Sequence, residues 1–142
     1  MTAIRWKIGR HELALEEPDI VFVQVLGDVS EAEAVELLTT SDRCARERDH
    51  QFWLVDVSRL GHIHPGARRT AANWTLSSSH WGTVAFGAGF MQRLLARMLR
   101  GAAMALRGEV ETVVLFALEE EARAWIAQER LRRQAARDTG ST

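Results

Sequence analysis

The sequence predicts a single α/β domain built on a mixed, largely parallel sheet, and three observations carry that expectation. Short runs of β-branched and apolar residues alternate with longer stretches of helical periodicity. The strand candidates Ile20 to Leu26 and Phe52 to Val57 are nearly apolar throughout, as strands covered on both faces are. A chain of 142 residues, 46% hydrophobic and 26% charged, suits one core.

The elements follow in order. Ile4 to Ile8 alternates apolar and basic residues, Gly9, Arg10 and His11 offer a turn, and Leu13 to Leu15 return as a partner strand, so an N-terminal hairpin is expected. After Pro18 the strand Ile20 to Leu26 ends at Gly27 and Asp28. Ser30 and Glu33 have the spacing of a capping box, in which a hydroxyl reaches forward to a free helix amide and a carboxylate reaches back. A helix is therefore expected from Glu31 to Arg48, with Ala34, Val35, Leu38, Cys44 and Ala45 facing inward, which makes Cys44 a core residue. The strand Phe52 to Val57 leads into a turn-rich segment from Ser58 to Gly66. Pro65, whose missing amide costs nothing in a first helical turn, opens a helix that continues through Leu76 and ends at Ser77 to Ser79. Gly82 to Gly87 is the third core strand, and Phe90, Leu94, Leu95, Met98, Leu99 and Ala102 recur at helical spacing. Glu111 to Leu118 makes a last strand. Glu119, Glu120 and Glu121 open a final helix whose Arg130, Arg132 and Arg133 complement its dipole. The expected architecture is a central sheet of about five strands with the N-terminal hairpin and about four helices, joined by right-handed crossovers. The domain spans residues 1–135, and the small, polar stretch 136–142 is expected to be a disordered tail.

This order of elements resembles the STAS domains of sulfate transporters and anti-sigma factor antagonists. The resemblance lies in the strand Val21 to Leu26 followed by Gly27, a helix, the phrase Leu54-Val55-Asp56-Val57-Ser58, a second helix, and Thr83 to Gly87. It implies a SpoIIAA-like fold and a bacterial, cytoplasmic, non-enzymatic regulatory module that binds a protein partner. In regulatory members a loop rich in Asp and Ser opens the second helix and accepts a phosphoryl group. Here His64-Pro65-Gly66-Ala67 stands in its place, and no Ser or Thr lies between Ser58 and Thr70. A switch by phosphorylation is therefore not expected. The branch of small lipid-binding domains of the Sec14 kind implies the alternative, a carrier or sensor of a small amphiphile.

Charge is segregated along the chain. Residues 1–56 hold 6 basic and 12 acidic side chains, residues 57–108 hold 7 arginines and no acid, and residues 109–142 hold 5 and 7, for a net charge of −1. An acid-free centre is a docking surface for an anion or an acidic partner unless the acidic first third folds against it. The candidate partner-binding residues are His62, His64, Gly66, Arg68 and Arg69, on the loop and first turn of the second helix. Gly87 and Gly89 form a strand-to-helix turn that suits a small anion, and Arg93, Arg97 and Arg100 line one helix side as a basic stripe. Trp74 and Trp81 flank a polar turn and are candidates for a pocket wall or a homodimer contact. Together these form the candidate site for a small anionic or amphiphilic ligand.

Other chemistry is not supported. His62 and His64 lack a third ligand nearby, so no metal is expected. No cofactor fingerprint survives: Gln92 stands where a dinucleotide turn needs glycine. No nucleophile elbow or helix-turn-helix is recognisable, which disfavours hydrolase chemistry and sequence-specific nucleic-acid reading. With one cysteine, an intramolecular disulfide is excluded. Met1 to Arg10 lacks the apolar run of a signal peptide, and no segment reaches the ~20 apolar residues of a spanning helix, so a cytoplasmic location is expected.

Overall fold

A computed structural model of the chain describes residues 4–48, 51–77, 82–87 and 113–140. Six strands lie in one sheet in chain order: β1 (Arg5–Ile8), β2 (His11–Glu16), β3 (Ile20–Val29), β4 (Phe52–Ile63), β5 (Gly82–Phe86) and β6 (Val113–Phe116). β1, β2 and β3 pair antiparallel, and β3 to β6 pair parallel. The expected hairpin is thus an integral part of the sheet, which has six strands rather than about five. The helices among the described residues are α1 (Glu31–Arg48), α2 (Pro65–Ser77) and α3 (Glu119–Gly140). The helix expected over Phe90 to Ala102 lies outside the described residues.

Parallel strands that follow chain order keep successive right-handed crossovers on one side. Accordingly α1 and α2 share a face, where Ala34, Leu37, Cys44 and Ala67 pack on Val21, Val23, Val25 and Val29 of β3. α3 covers the opposite face, with Ala122 and Ile126 against Ile20, Phe52, Leu54, Val84 and Phe86. Trp125 meets Phe52 edge-on at 6.3 Å between ring centroids. Two ion pairs fix α3 in place. Arg123 donates to both oxygens of Glu16 at 2.9 and 3.0 Å and lies over the Phe22 ring, while Arg130 donates to both oxygens of the buried Asp19 at 2.9 and 2.6 Å.

Three expectations are corrected. α3 runs past residue 135 to Gly140, because Ala135, Ala136 and Arg137 favour helix and the Thr139 hydroxyl donates to the Ala135 and Ala136 carbonyls at 3.0 and 3.1 Å. Val35 is exposed and Leu37 buried in its place, whereas Ala34, Leu38 and Cys44 are buried as expected, so the inward stripe of α1 is rotated by a fraction of a turn. The third correction matters most for function: Ser58 to Ile63 is strand, not turn, and β3 likewise continues through Gly27 and Asp28 to Val29.

The two strand extensions pair with each other through two register shifts. Gln24 pairs with Asp56, Leu26 with Arg59, and Val29 with Ile63, so β4 carries one extra residue at each shift. Each extra residue moves the following side chains to the other face. Val57, Leu60 and Ile63, three apart, therefore all pack on the α1/α2 side. Gly61 permits this pairing, because a Cβ there would run into the Asp28 carboxylate and backbone.

Candidate functional site

Where β3 and β4 end, their extensions, the β1–β2 turn and the N-termini of α1 and α2 enclose a polar cleft of about 450 Å³. It is lined by Arg10, Asp28, Val29, Ser30, Glu33, His62 and His64. Parallel sheets present such crevices at the carboxyl ends of their strands, where loops meet helix N-termini.

The cleft floor is built on a fully buried histidine. The turn at Gly9, with φ of 62°, reverses the chain so that His11 opens β2 rather than sitting in the turn. His11 Nδ1 accepts the Leu26 amide at 2.9 Å, just beyond the last rung of the β2–β3 ladder. A backbone N–H only donates, so Nδ1 is the bare nitrogen and Nε2 carries the proton. That proton is directed at Glu33 Oε1, 3.3 Å away.

Glu33 serves two partners. Its Oε1 also accepts the Ser30 amide at 2.9 Å, and Ser30 Oγ accepts the Glu33 amide at 3.1 Å, completing the expected capping box. The Ser30 amide is the chief reason the Glu33 carboxyl is held below the usual glutamate range, with His11 adding to the effect against partial desolvation. A Cβ at Gly9 would collide with the Glu33 carboxylate, so the hairpin turn and the α1 cap are fitted to each other.

The other wall comes from β4 and α2. Asp28 Oδ1 accepts the His62 amide at 2.7 Å, and the Val29 carbonyl accepts the His64 amide at 3.0 Å. His64 Nδ1 accepts the Gly66 amide at 3.0 Å, so an imidazole does the capping work at the start of α2 that a hydroxyl or carboxylate usually does. Gly66 is buried, and a Cβ there would strike the Glu31 carboxylate, which seats the first turns of α1 and α2 against each other.

The predicted residues distribute as follows. His62 and His64 line the cleft together. Gly66 lies at the root of α2, Arg69 is exposed beyond it, and Arg68 is half-buried with its Nε enclosed and lacking an acceptor. Gly87, at φ of 81°, closes instead on Ser58, where a Cβ would come within 2.7 Å of the Ser58 Cβ. Trp81, Gly89, Arg93, Arg97 and Arg100 lie outside the described residues; Trp74 falls on α2, but its side chain lies outside them too. Sequence reasoning missed Arg10, His11, Asp28 and the second role of Glu33. The alternation of His11, Leu13 and Leu15 was the signal available for His11.

A second cavity, of about 230 Å³ and apolar, lies between the sheet and the α1/α2 layer. Val57, Leu60 and Ile63 of β4, Ala67 and Ala71 of α2, and Ala85 of β5 are among its walls. Among the described residues no group of three His, Cys, Asp or Glu side chains is placed to hold a metal ion, and no helix is long and apolar enough to cross a membrane.

This architecture is the SpoIIAA-like fold of STAS domains. The anti-sigma factor antagonist SpoIIAA, solved in its unphosphorylated form, superposes with a TM-score of 0.58 at 10% identity, covering 82% of this chain and 97% of that one. A DUF3478-family protein with a SpoIIAA-like fold from Shewanella loihica PV-4 superposes with a TM-score of 0.58 at 13% identity, covering 80% and 88%. No family model matches the chain, and no curated protein matches it in sequence.

Proposed function

We propose that the chain is a non-enzymatic, cytoplasmic protein-interaction module that docks an acidic partner protein on the β4–α2 corner, through His62, His64, Gly66, Arg68 and Arg69. One observation carries the reading. The acids Glu16 and Asp19 of the first third are neutralised by Arg123 and Arg130 of α3, from the far end of the chain. Among the described residues no ion pair joins Arg59, Arg68 or Arg69 to a carboxylate. Arg59 and Arg69, exposed there, therefore keep their charge for an incoming partner, beside the Asp28 and Glu31 carboxylates of the same corner. The fold supports this reading by analogy with an anti-sigma factor antagonist. The module works without a phosphoryl switch, because His64 occupies the capping position at α2 and the Ser30 hydroxyl is engaged in its own cap.

The apolar cavity favours a second reading, a carrier of a small amphiphile, but its volume of about 230 Å³ falls below the ~300–1,000 Å³ of ordinary ligand pockets. Affinity capture from the native host, with wild type beside Arg69→Glu, tests the first reading. A partner retained by wild type and lost by the variant supports it; equal capture by both ends it. Native mass spectrometry of the same preparation separates the second reading, which requires extra mass that disappears on denaturation.

A further inference from the structure

We propose that His64 is a proton-responsive cap on α2: its neutral ring closes the first turn of the helix, and its protonated ring releases that turn. The inference goes beyond the docking reading and does not rest on it, since it concerns the start of α2 with or without a partner.

Hydrogen-bond direction fixes the protonation state of the cap. The His64 carbonyl accepts the Arg68 amide at 3.1 Å, which makes His64 the N-cap of a helix whose first residues are Pro65 and Gly66. Its Nδ1 accepts the Gly66 amide at 3.0 Å. An amide only donates, so Nδ1 is bare and the ring is the neutral form with its proton on Nε2. The usual caps, serine, threonine, asparagine and aspartate, keep an acceptor oxygen at any pH near neutral. Imidazole is the side chain that changes charge between about pH 5 and 8, and a proton on Nδ1 turns this acceptor into a donor facing another donor.

Helix electrostatics act in the same direction. The free amides of a helix N-terminus carry partial positive charge and repel an imidazolium. The first turn of α2 holds no acidic residue, so nothing on the helix itself offsets that charge or replaces the lost acceptor.

The charged and titratable groups around the ring are Glu31 of α1, Asp28 of β3, His62 of β4 and Arg68 of α2, with Arg10 and Glu33 across the cleft. Asp28 holds the His62 amide, and Glu33 is engaged by Ser30 and His11. Glu31 is placed differently. A Cβ on Gly66 would touch both the Glu31 carboxylate and His64 Nδ1, so the two border a single point over the first turn. When Nδ1 gains a proton, Glu31 is the acceptor at hand, and exchanging the Gly66 amide for that carboxylate is the movement that uncaps α2. His64 is exposed, so protons reach it without unfolding. His11 makes the same kind of bond, Nδ1 to the Leu26 amide, but is fully buried beside Glu33, and it serves as an internal comparison.

The test is amide exchange with solvent, followed by NMR on the full chain at about pH 7.5 and about pH 5, each rate referred to the intrinsic rate at that pH. Glu33 and Glu129, both held below the usual glutamate range, stay ionised across this window. Protection of the Gly66 amide is expected to fall at least about fivefold at the lower pH, the effect of losing a cap, while the Leu26 amide changes by less than about twofold. His64→Asn, which caps without titrating, should hold Gly66 protection at both pH values. His64→Ala should show the low protection already at the higher pH, and His62→Asn should respond as wild type does. Ring nitrogen shifts at the higher pH should report the Nε2–H tautomer for His64. The proposal is overturned by the Nδ1–H tautomer, by Gly66 protection that is the same at both pH values, or by an equal loss in His64→Asn. Full protection in His64→Ala also overturns it, as does an equal or greater loss at Leu26, which would place the opening at His11. Partner capture with its Arg69→Glu control is a separate measurement, so either inference can fail while the other stands.

Discussion

Glu33 is where several local requirements meet: it caps α1, holds the proton of His11, and fills the space that Gly9 leaves open. Its folded carboxyl titrates below the usual value, so its stabilisation is complete above about pH 4.5 and is lost as pH falls through the depressed value. Urea denaturation midpoints should therefore drop between pH 6 and pH 3, and Glu33→Gln should flatten part of that decline while costing about 1 kcal/mol at neutral pH, the usual worth of a cap. Glu129, lowered chiefly by its hydrogen bond with Arg132, titrates in the same direction and accounts for part of the slope that remains in the variant. Gly9→Ala meets both a positive φ and the Glu33 carboxylate, and is expected to destabilise by about 1–3 kcal/mol in the same measurement. Of these residues, the Ser30–Glu33 cap was legible in sequence because its partners are three positions apart. The His11 contacts were not, since they join residues 15 and 22 positions distant.

At the scale of elements, the β3–β4 extension decides where the candidate site lies. Period-two alternation identifies strands, and β4 abandons it after Val57, where the spacing Val57, Leu60, Ile63 looks like no strand at all. Only the partner strand explains the pattern, through its shifts from Asp56 to Arg59 and from Leu60 to Ile63. Gly61→Ala should force Asp28 away and open this outer ladder, so that hydrogen exchange accelerates at the His62 and His64 amides while β2 and α3 keep their protection. α3 depends on a different contact. Arg130→Met leaves the buried Asp19 carboxylate without its bidentate partner and is expected to cost ~2 kcal/mol in urea denaturation. The Asp19–Arg130 pair could not be read from sequence, although both residues carry charge, because nothing local selects one arginine among those on α3.

Across the whole molecule, Glu16 and Asp19 of the acidic first third close on the α3 arginines, while Arg59 and Arg69 of the acid-free centre are exposed at the β4–α2 corner, with Asp28 and Glu31 nearby. Arg69 is exposed and lies outside the buried core, so Arg69→Glu should change unfolding free energy by no more than ~0.5 kcal/mol. Partner capture should nonetheless be lost, and the wild-type association should weaken steeply as salt rises, because its driving field is screened over about 10 Å at 0.1 M. Unchanged capture at high salt would remove the electrostatic basis of the docking reading. The sequence by itself determined the α/β class, the succession of the described strands and helices, the α1 cap and the proline start of α2, since each of these depends on neighbours within a turn or on the period of apolar residues. Tertiary structure alone decided the pairing of charge blocks, the joining of the hairpin to the sheet, and the register shifts that turn a supposed loop into a cavity wall. These depend on which distant segments lie side by side, and residue spacing along one strand does not encode the offset of its partner.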